Sequence, residues 1–349
     1  MGLLQRMEAG GHEQVVFVSD PKSGLRCIIA IHDTTLGPAL GGTRMWGYAS
    51  EDDALTDALR LSKAMTYKAS LAGLDLGGGK GVIIGDPHKD KSEALFHAYG
   101  RAVNTLGGRY ITAEDVGTTF EDLQMVMSET RWVVGKAPEI GGSGDSGPAT
   151  GLGVYQGMRA CAKEAFGTPS LAGCTVAIQG FGKVASNLAR YLKADGAKLI
   201  VSEVYAPSSA RAGDEFGAQI VEPDRIYDVP CDVFSPCALG AVLNSNTIPR
   251  LKCRVVAGGA NNQLAETIDG DRLQDRGILY GPDYLLNAGG LINLSFELTT
   301  YDAKAAMAKV GAIYDTMERV IELAKQTRAS TARTADLLAE RRVREARRR

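Results

Sequence analysis

The chain has no apolar run near the ~18 residues needed to span a bilayer, and residues 1–10 carry charges where a signal peptide would be apolar. None of its six cysteines stand in C-x-x-C spacing, and its four histidines show no metal-ligand pattern. Neither a zinc site, another metal nor a disulfide framework is therefore expected. An excess of one charge is also missing. Lys and Arg number 39 against 41 Asp and Glu, a net charge of -2, so the whole chain proposes no nucleic-acid or membrane partner. The one local exception is the tail 341–349, six of whose nine residues are arginine. It reads as a solvated helix end rather than a site for an acidic partner. Together these absences describe a reduced, cytoplasmic protein.

What the chain has is length and clustered glycine. Its 349 residues suit two domains rather than one core. Its 42 glycines gather at 41–42, 77–79, 141–142, 258–259 and 289–290, where backbone turns sharply or approaches something closely. Strands are expected at 15–18, 27–31, 81–84 and 109–112, with helices from Ser50 and near 91–104 and 120–129. This mixed α/β domain ends near residue 135, and the glycine-rich stretch 141–148 reads as a hinge. Beyond residue 151, strands at 175–179, 198–202, 232–234, 254–257 and 278–280 alternate with helices, the pattern of a doubly wound parallel sheet. The expected organisation is a substrate and oligomerisation domain over 1–135 and a dinucleotide-binding domain over 136–330. A single helix over 303–326 and a last one over 331–349 follow, the latter expected to pack back on the first domain.

Gly180-Phe181-Gly182-Lys183-Val184-Ala185 is a G-x-G-x-x-A sequence between an apolar strand and an amphipathic helix. A second strand then runs into Glu203, 23 residues after Gly180. Such a match is weak alone and strong in this context. Gly180 permits the turn, Gly182 admits a pyrophosphate at the helix N-terminus, and Ala185 keeps helix and strand close. Glu203 suits ribose hydroxyls and repels a 2′-phosphate, so NAD is expected rather than NADP. The competing reading of Glu203 is a solvated strand end.

Ala54, Ala58, Leu61 and Met65 mark a buried stripe along one helix, and its continuation is Lys68. An ammonium there is costly unless it has a partner or a task. Gly77-Gly78-Gly79 places Lys80 on an expected loop, and Asp115 follows the strand at 109–112. Two lysines and a carboxylate thus converge on one cleft.

At these residues the chain resembles the glutamate/leucine/phenylalanine/valine dehydrogenase family, most of all its leucine-acting members. The likeness rests on Gly37-Pro38-Ala39-Leu40-Gly41-Gly42-Thr43-Arg44, Met65-Thr66-Tyr67-Lys68, Gly77 to Ile84 and Thr112 to Gly117. It extends to Pro236-Cys237-Ala238-Leu239-Gly240, Ala260-Asn261-Asn262-Gln263 and Asn287-Ala288-Gly289-Gly290. The resemblance implies that Lys68 binds the substrate carboxylate, Lys80 is the general base and Asp115 moves the proton to and from nitrogen. It places Asn262 near that carboxylate and the nicotinamide, and Thr150 against the carboxamide. It puts Leu40, Gly41, Ala113, Leu291 and Leu294 around the substrate side chain, and it implies an octamer-like homo-oligomer. The sequence departs from the family pattern at Glu203, where aspartate is usual, and at Leu291 and Leu294, where valine is common.

An apolar pocket rejects a second carboxylate, so a branched aliphatic amino acid is expected, leucine before valine and isoleucine, with the 2-oxo acid, ammonia and NADH as products. The alternatives are a phenylalanine or other apolar amino-acid dehydrogenase and a non-catalytic NAD-binding protein. A 2-hydroxy-acid dehydrogenase would want a histidine base, and all four histidines precede the cofactor domain.

Overall fold

The computed structural model describes residues 2–348 as two compact units. Met1–Gly144, Leu294–Tyr301 and Ala339–Arg349 make the first, and Asp145–Asn293 with Asp302–Leu338 make the second. No helix among the described residues is long and apolar enough to cross a membrane.

The first unit runs α1 (Leu3–Gly10), β1 (Gln14–Asp20), β2 (Leu25–Asp33), β3 (Ala39–Trp46), α2 (Glu51–Leu71), β4 (Gly77–Ile84), α3 (Glu93–Asn104), β5 (Tyr110–Glu114) and α4 (Phe120–Glu129). The sheet order is β1-β2-β4-β3-β5. β1, β2 and β4 pair antiparallel, whereas β4, β3 and β5 pair parallel. Because side chains alternate across a strand, the sheet has two distinct faces. One packs Ile29, Tyr110 and Met45 against Phe96 and Tyr99 of α3. The other packs Ile28, Ala30 and Val82 against Ala54 and Ala58 of α2. Ser50 caps α2 by accepting the Asp53 N–H at 3.1 Å, which satisfies an otherwise orphaned donor.

Two sequence expectations fail here for the same reason. β3 was not expected at all, and Lys80 lies inside β4 rather than on a loop. Glycine inside a strand reads as a turn, yet it also serves where another backbone comes close. A Cβ on Gly78 would lie 2.2 Å from the Thr66 nitrogen and 2.3 Å from the Ser62 carbonyl oxygen. The glycines let α2 press onto β4.

The second unit holds α5 (Gly147–Phe166), β6 (Thr175–Gln179), α6 (Lys183–Asp195), β7 (Lys198–Ser202), α7 (Ala206–Phe216), β8 (Gln219–Ile220), β9 (Val233–Pro236), β10 (Val255–Val256), α8 (Ile268–Asp275) and β11 (Leu279–Tyr280). There follow α9 (Asp283–Leu286), α10 (Gly289–Ser295), α11 (Ala303–Gly311), α12 (Ile313–Thr327) and α13 (Thr331–Ala346). Its sheet is wholly parallel, in the order β8-β7-β6-β9-β10-β11. The direction of winding reverses between β6 and β9, the position where such sheets bind dinucleotides.

Three boundaries differ from expectation. The first unit extends to Gly144 rather than 135, because Glu297 gathers the intervening backbone. Its carboxylate accepts the N–H groups of Gly135, Lys136 and Ser143 at 2.9, 3.2 and 2.6 Å. Gly147 and Pro148 belong to α5 rather than to a hinge, with proline in the first turn where its missing N–H costs nothing. The helix expected over 303–326 breaks at Ala312 into α11 and α12. The last helix divides as well: its residues to Leu338 count with the second unit and those from Ala339 with the first.

The arginine tail has internal tasks. Arg342 donates to the carbonyls of Ser70 and Leu74 at 3.2 and 2.6 Å and pairs with Asp75 at 2.8 Å. Arg347 pairs with the buried Asp33 at 2.5 Å. The Arg342 contacts hold the α2–β4 loop between Lys68 and Lys80, and Arg347 holds the end of β2.

Candidate active site

The alternation of the first sheet gathers the expected catalytic residues. Leu40, Gly42 and Arg44 of β3 point to the α2 side, and the register aligns Leu40 with Gly78 and Ile111, and Gly42 with Ala113. Lys80 lies opposite Ala30, which belongs to the same face. Asp115 follows β5 on that face too. It bonds Lys80 and, through its Oδ2, the Arg44 Nε at 3.2 Å. The side chains of Lys80 and Asp115 are 6% and 22% exposed.

Burial pushes the Lys80 ammonium down from its ordinary range, with Asp115 opposing. Burial alone would raise the Asp115 carboxyl, but Lys80 and then Arg44 outweigh it and hold the group below its ordinary range. A buried amine of lowered basicity gives up its proton more readily than a free lysine and can then accept one in turn.

Lys68 sits on the flank of α2, half-buried rather than at the centre of its apolar stripe, which continues through Ser62, Thr66 and Ala69. Leu40 and Ala113 are buried at 1% and 3% exposure. Leu294 is half-buried, its Cδ2 3.6 Å from where a Cβ on Gly135 would stand. Gly41 faces the opposite side of the sheet from Leu40, and its carbonyl accepts the Tyr110 hydroxyl at 2.7 Å. It supports the strand rather than lining the α2 face.

The second unit carries the dinucleotide elements. Gly180 adopts φ +86°, and a Cβ there would lie 2.6 Å from that of Ala238. Gly182 has open space where a side chain would be, at the N-terminus of α6. Ala185 is buried, Val184 half-buried and Lys183 exposed. The first-turn N–H groups of α6 thus look onto room for an anion. Glu203 accepts the Phe181 N–H at 2.6 Å and the Tyr205 N–H at 2.8 Å. It is a fixed carboxylate at the end of β7, with lone pairs left for a diol. These features fit a nicotinamide dinucleotide.

Phe181, expected at the cofactor with the rest of the fingerprint, stands apart from it. Its side chain is fully buried against Phe216, ring centroids 5.4 Å apart, and its N–H is committed to Glu203. It is a core residue within the fingerprint. Thr150, on α5, donates its hydroxyl to the Ser146 carbonyl at 2.9 Å, which leaves its oxygen as an acceptor. Asn262 is exposed at φ +51°, its carbonyl accepting the Ala241 N–H at 2.7 Å. Leu291, on α10, is 5% exposed.

Three residues received no role from the sequence. Arg44 pairs with Asp57 at 2.8 Å as well as with Asp115, and the Tyr48 hydroxyl donates to Asp57 at 2.7 Å. Recognising β3 as a strand would have found Arg44, since it lies on the Leu40 and Gly42 alternation.

The chain is similar to known proteins along nearly its whole length. Residues 12–132 match the Glu/Leu/Phe/Val dehydrogenase dimerisation domain. Residues 141–206 and 203–349 match the glutamate/leucine/phenylalanine/valine dehydrogenase domain. A leucine dehydrogenase of Geobacillus stearothermophilus is 56% identical over 343 residues, 98% of this chain and 94% of its own length. A valine dehydrogenase of Streptomyces coelicolor is 49% identical over 348 residues, covering 99% and 95%. The L-tryptophan dehydrogenase of Nostoc punctiforme superposes with a TM-score of 0.87 at 43% identity, covering 99% of each chain. Paired lysine and aspartate on a glycine-cleared sheet face, a dinucleotide fingerprint and near full-length relatives leave one conclusion: the chain belongs to the glutamate/leucine/phenylalanine/valine dehydrogenase family.

Proposed function

We propose that the protein catalyses the reversible, NAD-dependent oxidative deamination of a branched-chain L-amino acid, leucine first and valine or isoleucine also, to the 2-oxo acid, ammonia and NADH. The observation that carries the reading is the buried Lys80–Asp115 pair on the same sheet face as the apolar Leu40 and Ala113. Relatives named leucine dehydrogenase and valine dehydrogenase support it.

Gly180, Gly182, Lys183, Val184 and Ala185 would hold the pyrophosphate turn, Glu203 the adenosine ribose, and Thr150 and Asn262 the nicotinamide end. When bound, the cofactor accepts a hydride from the amino acid Cα. Lys68 fixes the substrate carboxylate as a point charge. Lys80, unprotonated, takes a proton from water as its oxygen attacks the imine carbon. Asp115 relays that proton from Lys80 to nitrogen, and Lys80, neutral again, takes the hydroxyl proton of the adduct as the C–N bond breaks to release ammonia and the 2-oxo acid. Leu40, Ala113, Leu291 and Leu294 contact the substrate side chain and offer no partner to a second carboxylate. The same reading includes a homo-oligomer assembled through the first unit.

An aromatic substrate is the second reading, favoured by the likeness to L-tryptophan dehydrogenase. The bulk of the three leucines argues against it. The test reads NADH formation over twenty amino acids, with NADP as the alternative acceptor, on wild-type and Lys80→Ala protein. The expected ranking is leucine, then valine and isoleucine. The variant should lose at least about 10²-fold in kcat, the low end for a general base. An aromatic optimum, or a variant keeping a tenth of wild-type turnover, overturns the assignment.

A further inference from the structure

The Lys80–Asp115 pair does not stand alone. Asp115 Oδ2 accepts from both Lys80 and the Arg44 Nε. The other end of the same guanidinium, its Nη1, donates to Asp57 Oδ2 at 2.8 Å. Asp57 is then held in turn by the Tyr48 hydroxyl at 2.7 Å and by Arg60 at 3.0 Å. Charges alternate along this row, and all but its outer end at Arg60 is shielded from solvent. The side chains of Arg44, Asp57 and Asp115 are 22%, 12% and 22% exposed. The row joins three elements, β3, α2 and the end of β5, and its outer flank opens on a cavity of about 410 Å³.

We propose that Arg44, anchored on Asp57, is a positioning residue of this reaction that holds the Asp115 carboxylate against Lys80. The inference rests on the reading of Lys80 as the base and adds what makes that reading workable. A neutral lysine beside a lone buried carboxylate would be driven to capture a proton and keep it. A second, permanent cation on the same carboxylate oxygen satisfies the anion whether Lys80 is charged or neutral. Asp115 then returns to the carboxylate after each proton it passes on, and Lys80 is free to give up its proton.

The charges around Lys80 pull in opposite directions, and Arg44 is on the side of the neutral amine. Burial lowers its basicity most, Asp115 and Asp57 raise it, and Arg44 lowers it. Lys68 lies further along α2, and Glu114 precedes Asp115 with its own side chain exposed. His32 faces α2 from β2, its pKa pushed down to about 4 chiefly by burial, so it is neutral across the working range. Arg44 is therefore a cation whose removal shifts Lys80 toward the protonated form.

The test follows kcat/KM for deamination against pH in wild-type, Arg44→Met, Arg44→Lys and Lys80→Ala protein, with thermal melting as the control for folding. The acid limb of the wild-type profile reports deprotonation of Lys80. Arg44→Met is expected to move that limb up by about one pH unit, as loss of a nearby charge does. It should lower kcat about ten-fold while leaving KM for NAD unchanged. Arg44→Lys, which keeps the charge and loses the two-ended grip, should bring the limb most of the way back without restoring kcat. If Arg44→Met does not fold, Arg44→Gln keeps an amide donor for Asp57 and carries the same expectation. A folded neutral variant with the wild-type limb overturns the role of Arg44 while leaving Lys80 as base. A Lys80→Ala protein that retains turnover overturns the base itself, and this inference with it.

Discussion

His32 shows how one buried side chain ties the stability of the first unit to pH. Its Nδ1 lies 2.8 Å from the Thr66 hydroxyl and its Nε2 lies 3.1 Å from the Gly10 carbonyl. A carbonyl only accepts, so Nε2 carries the proton and Nδ1 accepts from Thr66. That neutral tautomer uses both partners, and a second proton would place a charge on a buried ring and force the Thr66 hydroxyl to turn from donor to acceptor. Burial, then the neighbouring His12, push the pKa of His32 down from 6.5 to about 4. The unfolded chain therefore binds the proton first as pH falls. The stabilisation is complete above pH ~6.5 and drains away towards pH ~4, up to about 3 kcal/mol in all. Melting temperature is expected to fall through that window, and a His32→Asn protein should show a clearly shallower fall. Equal slopes in the two proteins would mean that His32 is not the group being titrated.

Among the elements, the end of β7 combines two tasks in one side chain. Glu203 latches the fingerprint turn through the Phe181 N–H and stands where a ribose would be recognised. Glu203→Ala removes both, and each charge-assisted hydrogen bond contributes about 1.5–3 kcal/mol. KM for NAD should rise ten-fold or more, and the preference for NAD over NADP should narrow. A ratio of kcat/KM values for the two cofactors unchanged from wild type counts against that placement. The β6–α6 turn was legible because its signal is local: two glycines, a strand before, a helix and an acid after. β3 and the start of β4 were not, because their glycines answer to α2 and Asp115, partners distant in sequence. A Cβ on Gly42 would stand 2.9 Å from that of Asp115, a reason that only the folded sheet supplies. Lys68 was found by a helical stripe that turned out to run beside it. Lys80 was found as a residue and misplaced as an element. Asp57 and Tyr48 left no trace in the sequence, since their importance comes from sharing Arg44.

For the whole molecule, β1 is the edge of the first sheet, and among the described residues no strand pairs with its outer side. Phe17, at its centre, is 53% exposed. Exposed edges of this kind are templates for another strand, and the matching family domain is named for dimerisation. Phe17→Asp is therefore expected to lower the mass seen by light scattering while leaving the fold by circular dichroism intact. Wild-type mass in a folded variant would place the contact elsewhere. The division of the chain has a further consequence, for the order in which it can be made. The first unit needs Leu294–Tyr301 to gather its backbone near Gly135, Arg342 to close the α2–β4 loop and Arg347 to hold the end of β2. Domains ordinarily fold from the N-terminus as the ribosome supplies them. Here the unit whose residues emerge first waits for Arg342 and Arg347, which follow every residue of the second unit, so the two cannot be completed strictly in turn.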